Sequence, residues 1–181
     1  RFVSEVAPEL GIDPLRDIQV LTSGHQGTLG TISLNTRLQE ALNPPDPAKA
    51  EVVVFERTYR EGDRVIQTAN NYDLDVFNGD IGQIESIIMT GRGKDAARVA
   101  IRFEGRLVEY GLSEMRQVSL AYAISVHKSQ GSEVPVVVYT PTTQHYNMLR
   151  KTLVYTAVTR ARQLCVLVGQ ERAARIAVNR S

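Results

Sequence analysis

Between Val52 and Val118 the chain changes its period. Short β-type runs, EVVVF, DRVIQT, IGQIESIIM, ARVAIRF and RLVEYG, follow one another there, separated by NGD, GRGK and EG turns. Such a block predicts a small antiparallel barrel or sheet. On its N-terminal side the pattern is of another kind. DIQVLT, Asp17 to Thr22, reads as a buried strand, and a glycine-punctuated loop, SGHQGTLG, follows it. TISLNTRLQEAL then places Leu34, Leu38 and Leu42 on one helical face with Ile32 beside them. The prolines of NPPDP stop that helix, because they lack the amide donor and force extension.

After Val118 strand and helix alternate again. The expected elements are a helix through SLAYAISVHKSQ, the strand VPVVVYT, a helix through HYNMLRKTLVYTAVTRAR, the strand LCVLVG and a final helix QERAARIAV. Units of this kind imply a parallel sheet covered by helices on both faces. The predicted architecture is therefore α/β, with residues 1–50 and 119–181 forming one domain and residues 51–118 a β-barrel inserted into it.

Composition narrows the function. Cys165 is the single cysteine, so no disulfide forms within the chain; its apolar run predicts a small buried residue. His25, His127 and His145 are too scattered for a zinc site, and no apolar run approaches the ~18 residues a bilayer requires. The expectation is a cytoplasmic protein with no metal of its own. The opening RFVSEVAPEL has neither an initiator Met nor a signal pattern, which reads as part of something longer. The net charge of +1 conceals an asymmetry: residues 119–181 hold eight Lys or Arg against two acids, the rest thirteen against eighteen. A segment that basic can meet phosphate, or can be a solvated helix face, as can the terminal ERAARIAVNRS.

Two polar stretches carry candidate chemistry. In ISVHKSQGSE, Gly131 permits close backbone approach to a phosphate, Glu133 offers a carboxylate to a ribose hydroxyl, and His127 and Lys128 face a second anion. The bland alternative is a helix end terminated by Gly131. In YTAVTRAR, Thr156 and Arg160 are four apart, and an arginine at a helix end has a fork suited to a transferring phosphoryl group. Its bland alternative is an arginine paired with the carbonyls of its own helix.

LAYAISVHKSQGSEVPVVV followed by LVYTAVTRAR resembles motifs V and VI of the superfamily-1B helicases, specifically the RecD-like group that moves 5′ to 3′ on single-stranded DNA. DIQVLTSGHQGTLGTISLNTRLQEALNP is similar to motif IV and its helix, and GDRVIQTANNYDLDVFNGDIGQI to the start of the inserted SH3-like barrel. The resemblance covers nearly the whole chain and implies a RecA-like second motor domain interrupted by that barrel. It implies that Gln130, Gly131 and Glu133 lie on ATP and that Arg160 is the arginine finger. Thr22, Ser23, His127, Lys128 and Ser129 would face DNA phosphates, with Asn70, Asn71 and Tyr72 of the barrel touching single-stranded DNA. Tyr72 reads equally as a half-buried barrel residue. Where relatives carry Pro, Met and two basic residues, this chain has Ser23, Gly24, His25 and Gln26, so His25 or Gln26 would be a weaker replacement for a phosphate contact.

A motor also needs a phosphate-cradling loop and an acidic magnesium motif. The nearest text, GRGKD, has Asp95 in the Ser/Thr position and Ile88 in place of the first glycine, and reads as a hairpin turn. The expectation is the C-terminal motor half of an ATP-dependent helicase. ATP and Mg2+ would act in the full-length protein, and the fragment alone would bind neither and hydrolyse nothing. Expected partners are single-stranded DNA, an N-terminal motor domain of the same chain and other subunits of a helicase–nuclease complex like RecBCD. The competing class is a non-catalytic platform binding single-stranded DNA or a partner.

Overall fold

Strand propensity and burial decide most of the elements. The computed structural model describes residues 1–91 and 97–180, so most of the GRGKD segment lies outside the described residues. Helical turns at Phe2–Val6 and α1 (Ala7–Glu9) precede β1 (Ile18–Thr22) and α2 (Thr31–Leu42). Then come β2 (Glu51–Val54), β3 (Arg57–Arg60), β4 (Arg64–Gln67), β5 (Ile81–Met89), β6 (Ala97–Phe103), β7 (Arg106–Gly111) and β8 (Val118–Leu120). The chain closes with β9 (Ala123–Ser125), β10 (Val134–Thr140), α3 (Lys151–Thr159), β11 (Ala161–Leu167) and α4 (Glu171–Asn179). These fall into two compact units, residues 1–42 with 122–181, and residues 43–121.

The first unit is a parallel sheet of order β11-β10-β1-β9. Every residue of β1 is buried, as a central strand covered on both faces requires. Ile18, Val20, Val136 and Val138 pack with Ala123 beneath Leu34, Leu38 and Leu42 of α2. Ile32, expected beside those leucines, is instead 63% exposed: the helix buries Thr31, Asn35 and Gln39, which turns Ile32 to solvent. Asn35 makes the two bonds a further strand's backbone would make. Its Nδ2 donates to the Ala123 carbonyl (2.8 Å), and the Ala123 amide donates to its Oδ1 (2.9 Å).

Two helices read from the sequence are corrected here. SLAYAISVHKSQ forms no α-helix: Val118–Leu120 pairs antiparallel with β4, Ala123–Ser125 pairs parallel with β1, and Val126–Ser129 is a single 3-10 turn. Residues 121–126 are buried in unbroken succession, which suits a strand enclosed on both faces and defeats an amphipathic helix. HYNMLRKTLVYTAVTRAR is helical in α3 only over Lys151–Thr159; a 3-10 segment precedes it over Thr143–Met148, and Arg162 already belongs to β11. Cys165 is half-buried, and burial pushes its thiol up from the ordinary value.

The second unit joins a five-stranded antiparallel sheet, order β7-β6-β5-β4-β8, to the β2–β3 hairpin. Val52, Val54 and Tyr59 of the hairpin share one core with Val65, Ile84, Val99, Ile101, Phe103 and Tyr110. Phe55, read from the sequence as the end of a strand, sits in the hairpin turn with Glu56, both at positive φ, with the Arg116 guanidinium 4.5 Å from its ring centre. That pair of backbone conformations is the hairpin turn whose twist matches the strands, here without the usual glycine. The buried Tyr110 hydroxyl donates to Gln67 Oε1 (3.0 Å).

Asn35→Leu will leave the buried Ala123 amide and carbonyl unpaired and lower stability by about 1–3 kcal/mol, measurable by urea unfolding. Burial, with smaller contributions from Glu114 and Asp80, raises the Tyr110 phenol to about 12. Neutral Tyr110 is thus favoured in the folded state, and its contribution is complete below the unfolded value near 10 and lost as pH rises toward 12. Tyr110→Phe will flatten the decline of stability over that alkaline window, read as melting temperature against pH.

Candidate functional site

The polar run ISVHKSQGSE is the crossover from β9 to β10, passing β1 in a sheet where those strands flank it. Eight residues are short for such a connection, which usually holds a full helix. Here a 3-10 turn does the work. Its start is capped by Ser125, whose hydroxyl accepts from the Lys128 amide (3.4 Å), and its end by the Ser129 hydroxyl donating to the Val126 carbonyl (2.7 Å). Gly131 follows at φ +85°, with open space where a Cβ would stand. It terminates this 3-10 turn rather than the expected α-helix.

The crossover therefore divides the candidate residues between two ends of the sheet. His127 and Lys128 follow the carboxyl end of β9; Gly131, Ser132 and Glu133 lead into the amino end of β10. His127 is exposed. Burial pushes the Lys128 ammonium below its ordinary range, with no acid among the described residues to offset it.

Arg160 is the capping residue at the end of α3, immediately before β11. Because β11 lies beside β10, it arrives next to the Gln130–Glu133 loop. Its Nη1 donates to the Ser132 carbonyl (3.2 Å), its Nη2 reaches the Thr159 hydroxyl (3.5 Å), and its own carbonyl accepts from the Val134 amide (3.0 Å). Nε is buried and has no hydrogen-bond partner among the described residues. The guanidinium is thus held by the neighbouring loop, not by the carbonyls of its own helix. Thr156 points its hydroxyl back to the Thr152 carbonyl (2.9 Å). Glu133, expected to be open to a ribose, accepts from Arg162 Nε (3.3 Å) in a pair whose members are both more than half exposed. Such a pair is worth at most about 1 kcal/mol and yields readily to a better partner. Gln130 and Gly131 are exposed.

Three of the residues expected at DNA have their side chains inside the fold. Thr22, Ser23 and Ser129 are buried, with hydroxyls committed to the Leu29 carbonyl, to Tyr139 Oη (2.9 Å) and to the Val126 carbonyl. They shape loops and offer no side chain outward. The loop after β1 is clasped by residues the sequence did not single out: Gln144 Oε1 accepts from the Thr28 amide (3.3 Å), and His145 Nε2 lies 2.7 Å from the Gln26 carbonyl and so donates to it. A side chain at Gly24 would stand 2.8 Å from the His145 ring and would force that ring to move. His25 is bound to the Thr31 hydroxyl (2.9 Å). No spacing in the sequence links 24–28 to 144–145; the parallel pairing of β1 with β10 does.

In the second unit Asn71 is spent on its own turn, accepting from the Leu74 amide (3.1 Å) and donating to Gln117 (3.2 Å). Asn70 likewise accepts from the Asn78 amide (2.9 Å). Tyr72 is 77% exposed, against the half-buried alternative, and meets the exposed Phe77 edge-on at 6.1 Å. Phe77 was missed because nothing in a lone aromatic before NGD distinguishes surface from core.

As to ligands, the open backbone at Gly131 beside the guanidinium of Arg160 fits one side of a phosphate group. Among the described residues no group of three or more His, Cys, Asp and Glu could hold a metal, so these residues do not fit a magnesium site. No described helix is long and apolar enough to cross a membrane.

Comparison with known proteins defines the class. Residues 120–168 match the UvrD-like helicase C-terminal domain, and residues 34–103 match the SH3 domain of ATP-dependent RecD-like DNA helicases. Over 90% of this chain, a crystal structure of the Pif1 helicase from Bacteroides superposes with a TM-score of 0.58 at 14% identity, covering 42% of that chain. The Pif1 helicase from Candida albicans gives 0.53 at 15% identity over 96% of this chain and 50% of its own. These likenesses show the fold, a RecA-like helicase sheet with helices and an SH3-like domain. Among sequence relatives, the ATP-dependent RecD2 DNA helicase of Deinococcus radiodurans is 37% identical over 90% of this chain and 21% of its own length. The RecBCD enzyme subunit RecD of Mycobacterium tuberculosis is 28% identical over 96% of this chain and 28% of its own. The chain belongs to the RecD-like superfamily 1 helicases and spans between a fifth and a third of the length of these two relatives.

Gly131→Ala will force a side chain into the left-handed region without any clash, costing about 1–2 kcal/mol of stability. Thermal unfolding of the variant checks it.

Proposed function

We propose that these residues are the C-terminal motor half of an ATP-dependent 5′ to 3′ DNA helicase that translocates on single-stranded DNA. The observation that carries the reading is the placement of Arg160: a guanidinium pinned to the Ser132 carbonyl, beside the exposed Gln130–Gly131 backbone, with a buried Nε–H that is unpaired among the described residues. An unpaired buried donor costs about 1–3 kcal/mol, and an anion arriving at this loop would relieve it. Arg160 acts as the arginine finger, placing its charge where a transferred phosphoryl group develops negative charge. Gln130, Gly131 and Glu133 form the loop on the nucleotide side, Glu133 exchanging its surface pair with Arg162 for a ribose hydroxyl. ATP supplies the energy of closure when bound.

His127 and Lys128, at the other end of the same crossover, meet DNA phosphates. A phosphate beside Lys128 would restore the charged form that burial disfavours. One rigid connection then links the nucleotide side to the DNA side. Tyr72 with Phe77 on the barrel stacks on bases, at about 1–3 kcal/mol per base. The magnesium site and phosphate-cradling loop come from an N-terminal motor domain, so these 181 residues alone hydrolyse no ATP. The 37% identity to a protein named a DNA helicase and the 28% identity to a RecBCD subunit support a motor that works alone or beside nuclease subunits.

In the full-length protein with single-stranded DNA, Arg160→Ala will lower ATP turnover by roughly 10³-fold or more while ATP binding is kept. Unchanged turnover, or no hydrolysis by the parent, would overturn the motor assignment in favour of a non-catalytic DNA- or partner-binding platform.

A further inference from the structure

A groove beside the last helix takes no part in the roles above. Helix α4 buries Ala173 and Ala177 completely and packs Ile176 against Leu149 and Val154, which leaves Arg172, Arg175 and Asn179 along the wall of an open groove of about 840 Å³. Arg180 and Tyr146 close one end. Arg180 is fixed three ways: its guanidinium lies 4.8 Å from the centre of the Tyr146 ring, its Nη1 donates to the Tyr146 carbonyl (2.8 Å), and its own carbonyl accepts from the Lys151 amide (2.9 Å).

The charges in this groove do not cancel. Glu171 pairs with Arg175 (2.8 Å), and no other acid among the described residues lines it. Arg172 and Arg180 are left without an acidic partner among the described residues, and Arg150 and Lys151 adjoin Arg180 at the start of α3. At 1.5 Å rise per residue, Arg172 to Arg180 spans about 12 Å, long enough to meet more than one phosphate of a strand. A small free anion would need donors converging in a closed pocket, whereas a row of guanidiniums along an open groove suits a repeating anion.

We propose that the α4 groove is a second nucleic-acid backbone contact, with Arg172 and Arg180 each neutralising a phosphate. Helix α4 follows β11 and packs on α3, and α3 also meets the crossover that carries His127 and Lys128. The proposal goes beyond the assignment of Arg160 and does not depend on it.

The test is fluorescence anisotropy of a labelled oligothymidylate with the 181-residue chain across a salt series. Arg172 is exposed and makes no side-chain hydrogen bond or ion pair among the described residues, so Arg172→Ala will fold normally, bind more weakly, and reduce the slope of log affinity against log salt by about 0.7, the value of one single-strand phosphate contact. Arg172→Glu will weaken binding further, while Arg37→Ala, a charge removed on the exposed side of α2, will leave the slope in place. A slope unchanged by Arg172→Ala, one lowered equally by Arg37→Ala, or no oligonucleotide binding at all overturns the proposal. So does binding of polyglutamate that depends on Arg172 while the oligonucleotide slope does not, which would make the groove a site for an acidic protein. ATP turnover of the Arg160→Ala parent is a separate measurement, so either idea can fail alone.

Discussion

Two hydrogen bonds between Asn35 and the backbone of Ala123 hold an edge strand only three residues long in register, and the candidate chemistry hangs from that strand. An edge strand presents unpaired donors and acceptors, and a strand this short has little ladder energy of its own. A buried amide that satisfies both groups with good geometry substitutes for the missing neighbour. With β9 fixed, the end of the strand at Ser125 is fixed, and so is the start of the crossover that carries His127 and Lys128.

The crossover is short enough that its two ends cannot move independently. Its caps, Ser125 and Ser129, are side chains bonding to its own backbone, and its far end is tied by Arg160, which bonds both the Ser132 carbonyl through its side chain and the Val134 amide through its carbonyl. A displacement at the Gly131–Glu133 end is thereby transmitted toward His127 and Lys128 by covalent geometry and a few bonds. The polar character of the run follows from this: residues bridging strands on the surface of a sheet must satisfy their own backbone, and serines do so locally.

The barrel segment was legible because antiparallel strands alternate and their turns use a small set of residues. IGQIESIIM, ARVAIRF and RLVEYG appear in the structure with the bounds their patterns suggest, and the EG turn between the last two has both residues at positive φ. The turn at Phe55–Glu56 was not legible, since neither residue signals left-handed backbone; strand twist and the Arg116 contact impose it. The helix expected over SLAYAISVHKSQ failed for a related reason. Its apolar residues suit a helix or a buried strand equally, and only pairing with β4 and β1, distant in sequence, decided between them.

By itself the sequence determined an α/β chain interrupted by an antiparallel β unit, because hydrophobic period is a local property, and its two ordered polar motifs carried the resemblance to the RecD-like helicases. It also named Arg160 and the Gln130–Glu133 loop as neighbours in chemistry. Tertiary structure alone decided that Arg160 and Ser132 touch, that Thr22, Ser23 and Ser129 face inward, that His145 and Gln144 clasp the loop after β1, and that the arginines of α4 line a groove. Those outcomes depend on which strands lie side by side and which helical face the core claims, and both are set by packing between residues far apart in the chain.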